Sequence, residues 1–220
     1  MKPKPIRSIT AQPFLFMFAR YLFITLALLS APRSFAEDSA AVVNQLIERV
    51  SSELDKLYKA HRIDDRAAIE QMIRNEIVPH IDQQYLARRV YRQFWTQLTQ
   101  AGKQQDAQQR VIDSIVKTYA VALSSYSGDT LSVISVKEEG NKSQARSRIR
   151  RPNGQTIQVD FMLSNNSGAW LINNMVVDGI DASLTIHNAI KPIWEQQGME
   201  AGLNAVRESD AAVSDATKKK

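Results

Sequence analysis

The chain has 220 residues, with 28 lysines and arginines against 23 aspartates and glutamates, which gives a formal net charge of +5. It contains no cysteine, so disulfides, thiol catalysis, thiolate metal sites and lipoprotein-type acylation are excluded. This length is enough for one domain with a substantial core.

The first 36 residues have the three parts of an export signal. A basic start precedes an apolar stretch at residues 14–29, and the Ser-Phe-Ala sequence that ends at Ala36 matches the small-x-small pattern that a signal peptidase cuts. The uninterrupted apolar run, residues 21–29, is much shorter than the roughly 20 residues of a membrane-spanning helix. We therefore expect residues 1–36 to be a cleaved signal peptide that directs export of the protein.

Cleavage would also change the charge of the protein. The signal segment carries five basic residues and no acidic ones, so the remaining chain has 23 of each and a formal net charge of zero. The basic isoelectric point therefore belongs to the export signal, and it does not indicate binding to nucleic acid.

Apolar residues recur at helical spacing over residues 40–126 and predict four amphipathic helices. Asp64 and Asp65 are suitable caps for the second helix, which should end at Pro79. The fourth helix should cover about residues 104–126. The four apolar stripes consist of Val43, Leu46, Ile47, Val50, Leu54 and Leu57; Ile69, Met72, Ile73 and Ile77; Tyr85, Leu86, Val90, Phe94, Trp95 and Leu98; and Ile112, Ile115, Val116, Tyr119, Leu123 and Tyr126.

The period changes to two after Thr130 and predicts four strands joined by short turns, an antiparallel meander. In the clearest strand, residues 156–163, apolar and polar side chains alternate. Apolar residues occupy both sides of the last strand, residues 170–178, so we expect this strand to be covered on both faces. These residues are Trp170, Ile172 and Val176 on one side and Leu171, Met175 and Val177 on the other.

A final helical region covers about residues 182–206 and should bend or break near Pro192 and at Gly198. Residues 208–220 are polar and lack apolar anchors, so we expect a disordered tail. The order of elements predicts an α+β fold, in which N-terminal helices pack on a twisted antiparallel sheet of about four strands and C-terminal helices close the structure. We expect residues 37–207 to form this single domain.

No catalytic or metal-binding motif is visible in the sequence, and we expect a protein that is not an enzyme and uses no metal or cofactor. His61, His80 and His187 are far apart, and none has a second histidine at metal-ligand spacing. Asp160 and Asp178, near the strands, are the best candidates for a polar constellation in the alternative case of a small pocket enzyme.

Three arginines, Arg146, Arg148 and Arg150, alternate along one predicted strand and therefore share one face. They form either a solvated outer face or a docking patch for an acidic partner or for anionic lipid headgroups. The arginines of residues 88–92, on the third predicted helix, allow the same two interpretations.

Several local patterns accompany this order of elements. They are Ile77-Val78-Pro79-His80-Ile81-Asp82, Phe94-Trp95, Thr118-Tyr119-Ala120-Val121-Ala122-Leu123 with Tyr126, the strand from Trp170 to Asp178, and Gln197-Gly198-Met199-Glu200. Together they resemble the MlaC family, also called the toluene-tolerance family. Its members are periplasmic phospholipid-binding proteins that serve a lipid-transport ABC system.

The resemblance implies an apolar cavity between the helices and the sheet, which encloses the acyl chains of a phospholipid and leaves the headgroup largely exposed. The polar end of this cavity should lie near the sheet edge. Three departures from the family pattern concern the mouth of the cavity. They are Asn173-Asn174 for the usual Tyr-Asp, Asp181 for the usual Ser, and Thr185-Ile186-His187 for an Asn-Tyr-Arg-like stretch. The lipid-binding residues implied by the resemblance are Tyr85, Phe94, Ile115, Tyr119, Leu123, Val159, Phe161, Leu163, Trp170, Ile172, Met175 and Val177.

By the same resemblance, the protein is a carrier that shuttles lipid between outer- and inner-membrane complexes and maintains the lipid asymmetry of the outer membrane. Its partners would be a phospholipid, an outer-membrane lipoprotein complex and an inner-membrane lipid ABC transporter. A hopanoid-associated or other lipid-binding branch of the family fits equally well. The residues alone also leave open a small pocket enzyme of similar fold and a periplasmic adaptor with a solid core.

Overall fold

The helices of this chain precede and follow one sheet, as in an α+β domain. The structure, a computed structural model, describes residues 38–166 and 168–208; the predicted signal peptide and residues 209–220 of the predicted tail lie outside the described residues. The helices are α1 (Ser39–Lys59), α2 (Arg66–Met72), α3 (Gln83–Tyr91), α4 (Trp95–Gln100), α5 (Gln104–Leu123), α6 (Ala182–Gln197) and α7 (Met199–Glu208). The strands are β1 (Thr130–Glu139), β2 (Lys142–Arg150), β3 (Thr156–Asn165), β4 (Trp170–Val177) and β5 (Ile180–Asp181).

Aspartates begin four of these helices. Asp38, Asp65, Asp82 and Asp181 each accept a hydrogen bond from a backbone N–H of the first turn, at 2.9 to 3.1 Å. Such a cap satisfies an N–H group that has no partner inside the helix, and it stabilises a protein by about 1 kcal/mol. Of the two predicted caps of the second helix, it is Asp65 that caps α2, whereas Asp64 is exposed.

The second helix changes its geometry before it ends. After Met72 it widens into a π-helical turn (Ile73–Ile77) and then tightens into a 3-10 turn (Val78–His80). Pro79 has no N–H to donate and cannot continue an α-helix, which explains why the regular helix is lost here. Turns of the π type are frequent at functional sites.

The third predicted helix consists of two helices. α3 ends at Tyr91, and Arg92 adopts a left-handed backbone conformation with φ 47° before a 3-10 turn leads into α4. Tyr91 is fully buried, and Phe94 stacks on Trp194 with ring centroids 4.6 Å apart. The break therefore lets both aromatic side chains enter the same helical core.

The strands form one antiparallel sheet in the order β1-β2-β3-β4-β5. The four predicted strands are present, and their consecutive pairing confirms the predicted meander. The additional strand β5 pairs with the end of β4. The sequence period does not reveal it because a strand of two residues is too short to show an alternation.

An irregularity interrupts the pairing of β3 with β4. Leu163 lies opposite Ile172, but its neighbour Met162 lies opposite Asn174, so Asn173 has no partner in the register. A bulge of this kind adds one residue to one strand and inverts the alternation of its side chains beyond that point.

The bulge decides which side chains of β4 face the helices. Trp170, Ile172, Met175 and Val177 all belong to the apolar cluster on the inner face of the sheet. The prediction that Met175 and Val177 lie on the side opposite Trp170 and Ile172 is therefore wrong, because simple alternation does not hold through a bulge.

Small residues on the inner face of β2 allow α1 to lie close to the sheet. Ser143, Ala145 and Ser147 are all buried there. At the start of α1, the Oγ atoms of Ser39 and Ser143 are 2.7 Å apart, and Ser39 N donates to the carboxylate of Glu138 at 3.0 Å. These contacts join the first helix to β1 and β2.

The apolar core is divided into two clusters. The first, the helical cluster, contains side chains from each of the helices α2 through α7. Its fully buried members include Leu98, Val111, Ile190 and Leu203. The second, the sheet cluster, joins the first half of α1 to the inner face of the sheet. Domains usually have one contiguous core, so this division indicates a gap between the two layers.

The closing helices pack tightly against each other. The predicted break at Gly198 is confirmed, since Gly198 ends α6 with φ 84°, whereas Pro192 lies inside α6 and does not end it. Beyond the break, Gly202 of α7 contacts the side chain of Trp194 so closely that a methyl group at Gly202 would overlap the indole ring.

We expect the change Gly202→Ala to lower the free energy of unfolding by about 1–3 kcal/mol, because overpacking displaces the Trp194 ring from the helical cluster. The higher helix propensity of alanine, worth about 1 kcal/mol, acts in the opposite direction. Urea denaturation followed by circular dichroism measures the difference. A variant as stable as the parent protein would contradict the tight packing of α6 on α7.

Candidate functional site

An apolar cavity of about 610 Å³ lies in the gap between the sheet cluster and the helical cluster. Its wall consists mainly of apolar side chains from α1, the π-helical turn, α5 and strands β1 to β4. This volume is within the range of about 300–1,000 Å³ that is common for small-molecule sites. The expectation of an apolar cavity between the layers is confirmed.

Eight of the twelve predicted lipid-binding residues line this cavity. α5, β3 and β4 bring them together from distant parts of the chain. They are Ile115, Tyr119, Leu123, Val159, Phe161, Ile172, Met175 and Val177.

The structure places the other four predicted lipid-binding residues elsewhere. Tyr85 is 42% exposed on α3. Phe94 belongs to the helical cluster, where it stacks on Trp194. Leu163 and Trp170 are buried in the sheet cluster together with the first turns of α1. We remove all four from the set of candidate ligand contacts, because periodicity indicates burial but does not distinguish solid core from cavity wall.

The first helix supplies more of the wall than the sequence indicates. Its apolar stripe is visible in the sequence, but a stripe does not reveal whether the surface opposite it is filled. The π-helical turn adds two further apolar side chains to the wall. These additional residues are Leu46, Ile47, Val50 and Leu54 from α1, and Ile73 and Ile77 from the turn.

Polar side chains line one end of the cavity. They lie at the end of the sheet where β1 and β3 begin and β2 and β4 end. We call this set the rim; it consists of Ser125, Asp129, Arg151, Gln155 and Asp178. The backbone of Arg151 closes the β2–β3 turn, since Arg151 N donates to Gln155 O at 2.9 Å. The rim lies where the sequence analysis expects the polar end of the cavity.

A partly buried ionic network joins the helices to the sheet beside the cavity. The carboxylate of Asp181 accepts hydrogen bonds from Arg89 Nη2 at 2.6 Å, from Ser183 Oγ at 2.7 Å and from Asn174 Nδ2 at 3.0 Å. Arg89 Nε donates to Ser183 Oγ at 2.8 Å. Asn174 itself lines the cavity, so the network holds part of the wall in place.

The network also determines the charge of Asp181. Burial acts to raise the pKa of this carboxyl group, but the hydrogen bonds from Ser183 and Arg89 outweigh burial and lower the pKa from 3.8 to about 2. Tyr119, in the cavity wall, has its pKa raised mainly by burial and also by the negative charge of Asp181. Asp181 is therefore ionised and Tyr119 neutral at physiological pH.

The predicted docking arginines lie on the outer face of the sheet. Arg146, Arg148 and Arg150 are exposed, and Arg146 Nε is 3.7 Å from the carboxylate of Asp160. Asp160 therefore faces away from the cavity, whereas Asp178 stands at its rim. The two aspartates proposed as a polar constellation are on opposite sides of the sheet.

The three histidines do not converge on one site. His187 is buried, its Nδ1 atom is 2.8 Å from Val90 O, and burial lowers the pKa of its imidazole. His80 Nε2 is 2.8 Å from Arg49 Nη2, and His61 is exposed. In residues 38–166 and 168–208 no group of three or more histidines, cysteines, aspartates or glutamates could hold a metal ion.

The helices of residues 38–166 and 168–208 lack the features of a membrane span. None of them combines the length and the apolar character needed to cross a bilayer.

Comparison with known proteins decides the family. The family described as MlaC protein matches residues 41–208 of this chain. The chain belongs to the MlaC family. The intermembrane phospholipid transport system binding protein MlaC of Haemophilus influenzae is 24% identical over 199 residues, which cover 87% of this chain and 92% of that protein.

A solved structure has the same fold as this MlaC-family chain. It is the phospholipid-binding protein from Ralstonia solanacearum in complex with a phospholipid, with a TM-score of 0.68 and 20% sequence identity. The match covers 81% of this chain and 99% of that chain. The fold is therefore shared over almost the entire length of the Ralstonia protein.

We expect Asp181→Asn to lower the free energy of unfolding of this MlaC-family protein by about 1–2 kcal/mol near pH 7. Asparagine can still cap α6, but it leaves the Arg89 guanidinium without its charged partner. Because the folded-state pKa of Asp181 is about 2 and its ordinary value is 3.8, this stabilisation is present above pH 3.8 and is lost as the pH falls towards 2.

Urea denaturation at neutral and at acidic pH tests this prediction. Asp64→Asn is the matched control, since Asp64 is exposed and its replacement should change stability by less than about 0.5 kcal/mol. Equal effects of the two substitutions at neutral pH would contradict a stabilising role of the Arg89–Asp181 pair.

Proposed function

We propose that this protein is a periplasmic lipid carrier that encloses the acyl chains of a phospholipid and shuttles the lipid between outer- and inner-membrane complexes, which maintains outer-membrane lipid asymmetry. The observation that carries the proposal is the apolar cavity of about 610 Å³ in a chain of the MlaC family. The phospholipid named for both relatives supports it. The predicted export signal supports a periplasmic location, with residues 37–207 as the exported domain.

The energy of hydration explains why such a lipid needs a carrier. Two acyl chains contain about 30 methylene groups, and exposing each to water costs about 0.8 kcal/mol, on the order of 24 kcal/mol in total. A cavity with apolar walls removes this cost without forming a covalent bond. The carrier therefore acts by binding, and the eight predicted residues in the wall, together with those of α1, contact the tails.

Release of the lipid requires the rim to open. One hydrogen bond joins the two sides of the rim. Arg151 Nη2, just after β2, donates to Ser125 Oγ, just after α5, at 3.1 Å. A membrane complex that binds the open form better than the closed form shifts the population towards release. An exposed polar bond of this kind is weak, so opening needs no large input of energy.

Filling the cavity should abolish lipid binding without unfolding the protein. We expect Leu123→Trp to reduce the phospholipid retained by the purified protein by more than about tenfold, because the indole occupies the volume of the tails. Leu184→Trp is the matched control, since Leu184 is 38% exposed and does not line the cavity. Native mass spectrometry measures the bound lipid, and circular dichroism checks the fold.

The identity of the bound molecule separates the competing functions. Co-purified phospholipid supports the carrier, and a hopanoid supports another lipid-binding branch of the family. A small polar ligand would favour a pocket enzyme, and a parent protein without any ligand would favour an adaptor. Equal lipid retention by Leu123→Trp and Leu184→Trp would contradict the cavity as the binding site.

We further propose that the outer-face arginines dock acidic surfaces of the partner complexes, an outer-membrane lipoprotein complex and an inner-membrane lipid ABC transporter. We expect Arg148→Glu combined with Arg150→Glu to slow lipid transfer to the isolated transporter about tenfold and to leave lipid retention unchanged. Lys56→Glu combined with Lys59→Glu, on α1, is the charge-matched control. An equal effect of both double variants would contradict the docking patch.

A further inference from the structure

The rim of the cavity contains both signs of charge. Arg151 is the sole cation among the described residues that line the cavity, and Asp129 and Asp178 are the acidic ones. The rim therefore carries a formal charge of −1 at the point where an apolar interior meets water. A ligand whose tails fill the interior must place its polar group beside these three side chains.

The guanidinium of Arg151 has an unused donor. Its Nη2 atom donates to Ser125 Oγ at 3.1 Å, but its Nε atom is buried and has no hydrogen-bond partner among the described residues. The nearest carboxylate oxygen, Asp129 Oδ2, lies 3.8 Å from Nε, too far for a hydrogen bond. A buried donor without an acceptor is unfavourable, and it favours a ligand that supplies one.

The position of Arg151 is fixed by the backbone around it. Arg151 N donates to Gln155 O at 2.9 Å, and Gly154 N donates to Arg151 O at 3.0 Å. The carboxylate of Asp178 is also held, because its Oδ1 atom accepts a hydrogen bond from Gln158 N at 2.8 Å. Arg151 and Asp178 therefore both lie in hydrogen-bonded turns at the same end of the sheet.

We propose that the rim selects zwitterionic phospholipids. The phosphate diester accepts a charge-assisted hydrogen bond from Arg151, and the ammonium group of the same headgroup lies near Asp178 and Asp129. Anionic headgroups without an ammonium group are disfavoured by the negative charge of the rim. This inference rests on the proposed lipid carrier. It adds a headgroup preference to a cavity whose apolar wall contacts only the acyl chains.

Three lipids with identical tails test the proposal. Protein freed of lipid is incubated with dioleoylphosphatidylethanolamine, dioleoylphosphatidylglycerol or dioleoylglycerol, and the retained lipid is quantified by mass spectrometry after gel filtration. We expect the parent protein to retain the ethanolamine lipid about three- to tenfold more than the glycerol-headgroup phospholipid. Equal retention of the two phospholipids would overturn the proposed preference.

The change Arg151→Gln separates phosphate binding from a purely structural role. We expect it to lower retention of both phospholipids about three- to tenfold and to leave retention of dioleoylglycerol unchanged, because dioleoylglycerol has no phosphate. An equal loss of all three lipids would mean that Arg151 only holds α5 against the sheet. No loss would mean that Arg151 does not bind phosphate. Either result overturns the assignment. Arg62→Gln is the control, since Arg62 is exposed and does not line the cavity.

The change Asp178→Asn tests the acidic side of the rim. We expect it to reduce the preference for the ethanolamine lipid over the glycerol-headgroup phospholipid by at least about threefold. An unchanged preference overturns the role of Asp178. Failure of the carrier proposal gives a different result, since the parent protein would then retain none of the three lipids, dioleoylglycerol included.

Discussion

The division of the apolar core into two clusters sets the position of the cavity. Apolar side chains of the sheet and of the helices form two clusters that face each other across a volume of about 610 Å³. At about 24 cal/mol per Å³, a sealed empty cavity of this volume would cost on the order of 15 kcal/mol, as much as the whole stability of a typical domain. This cost favours an apolar ligand as the occupant.

Polar interactions keep the layers in position where apolar packing does not. On one side of the cavity, Asp181 joins Arg89 to Asn174 and caps α6 as well. On another, Ser39 links the start of α1 to Glu138 and Ser143. Both sets of contacts lie at the margins of the sheet, and the charged side chains among the described residues that line the cavity are all in the rim.

The two faces of β2 serve different purposes because its side chains alternate. On the inner face, Ser143, Ala145 and Ser147 are small enough for α1 to approach the sheet. On the outer face, Arg146, Arg148 and Arg150 are exposed to solvent. One strand thus supports the packing of α1 over the cavity and presents the arginines of the proposed docking surface.

Most helices and strands of this protein follow from local patterns in the sequence, because periodicity separates helices from strands. Asp65 and Gly198 mark boundaries through local hydrogen bonding and backbone freedom. The resemblance to the MlaC family implied twelve lipid-binding residues, of which eight line the cavity, but Phe94, with the same apolar character as Phe161, belongs to solid core. The bulge at Asn173, which places Met175 and Val177 on the inner face, depends on pairing with β3. The gap between the two layers is visible only in three dimensions, because periodicity indicates that a side chain is buried and carries no information on what lies opposite it.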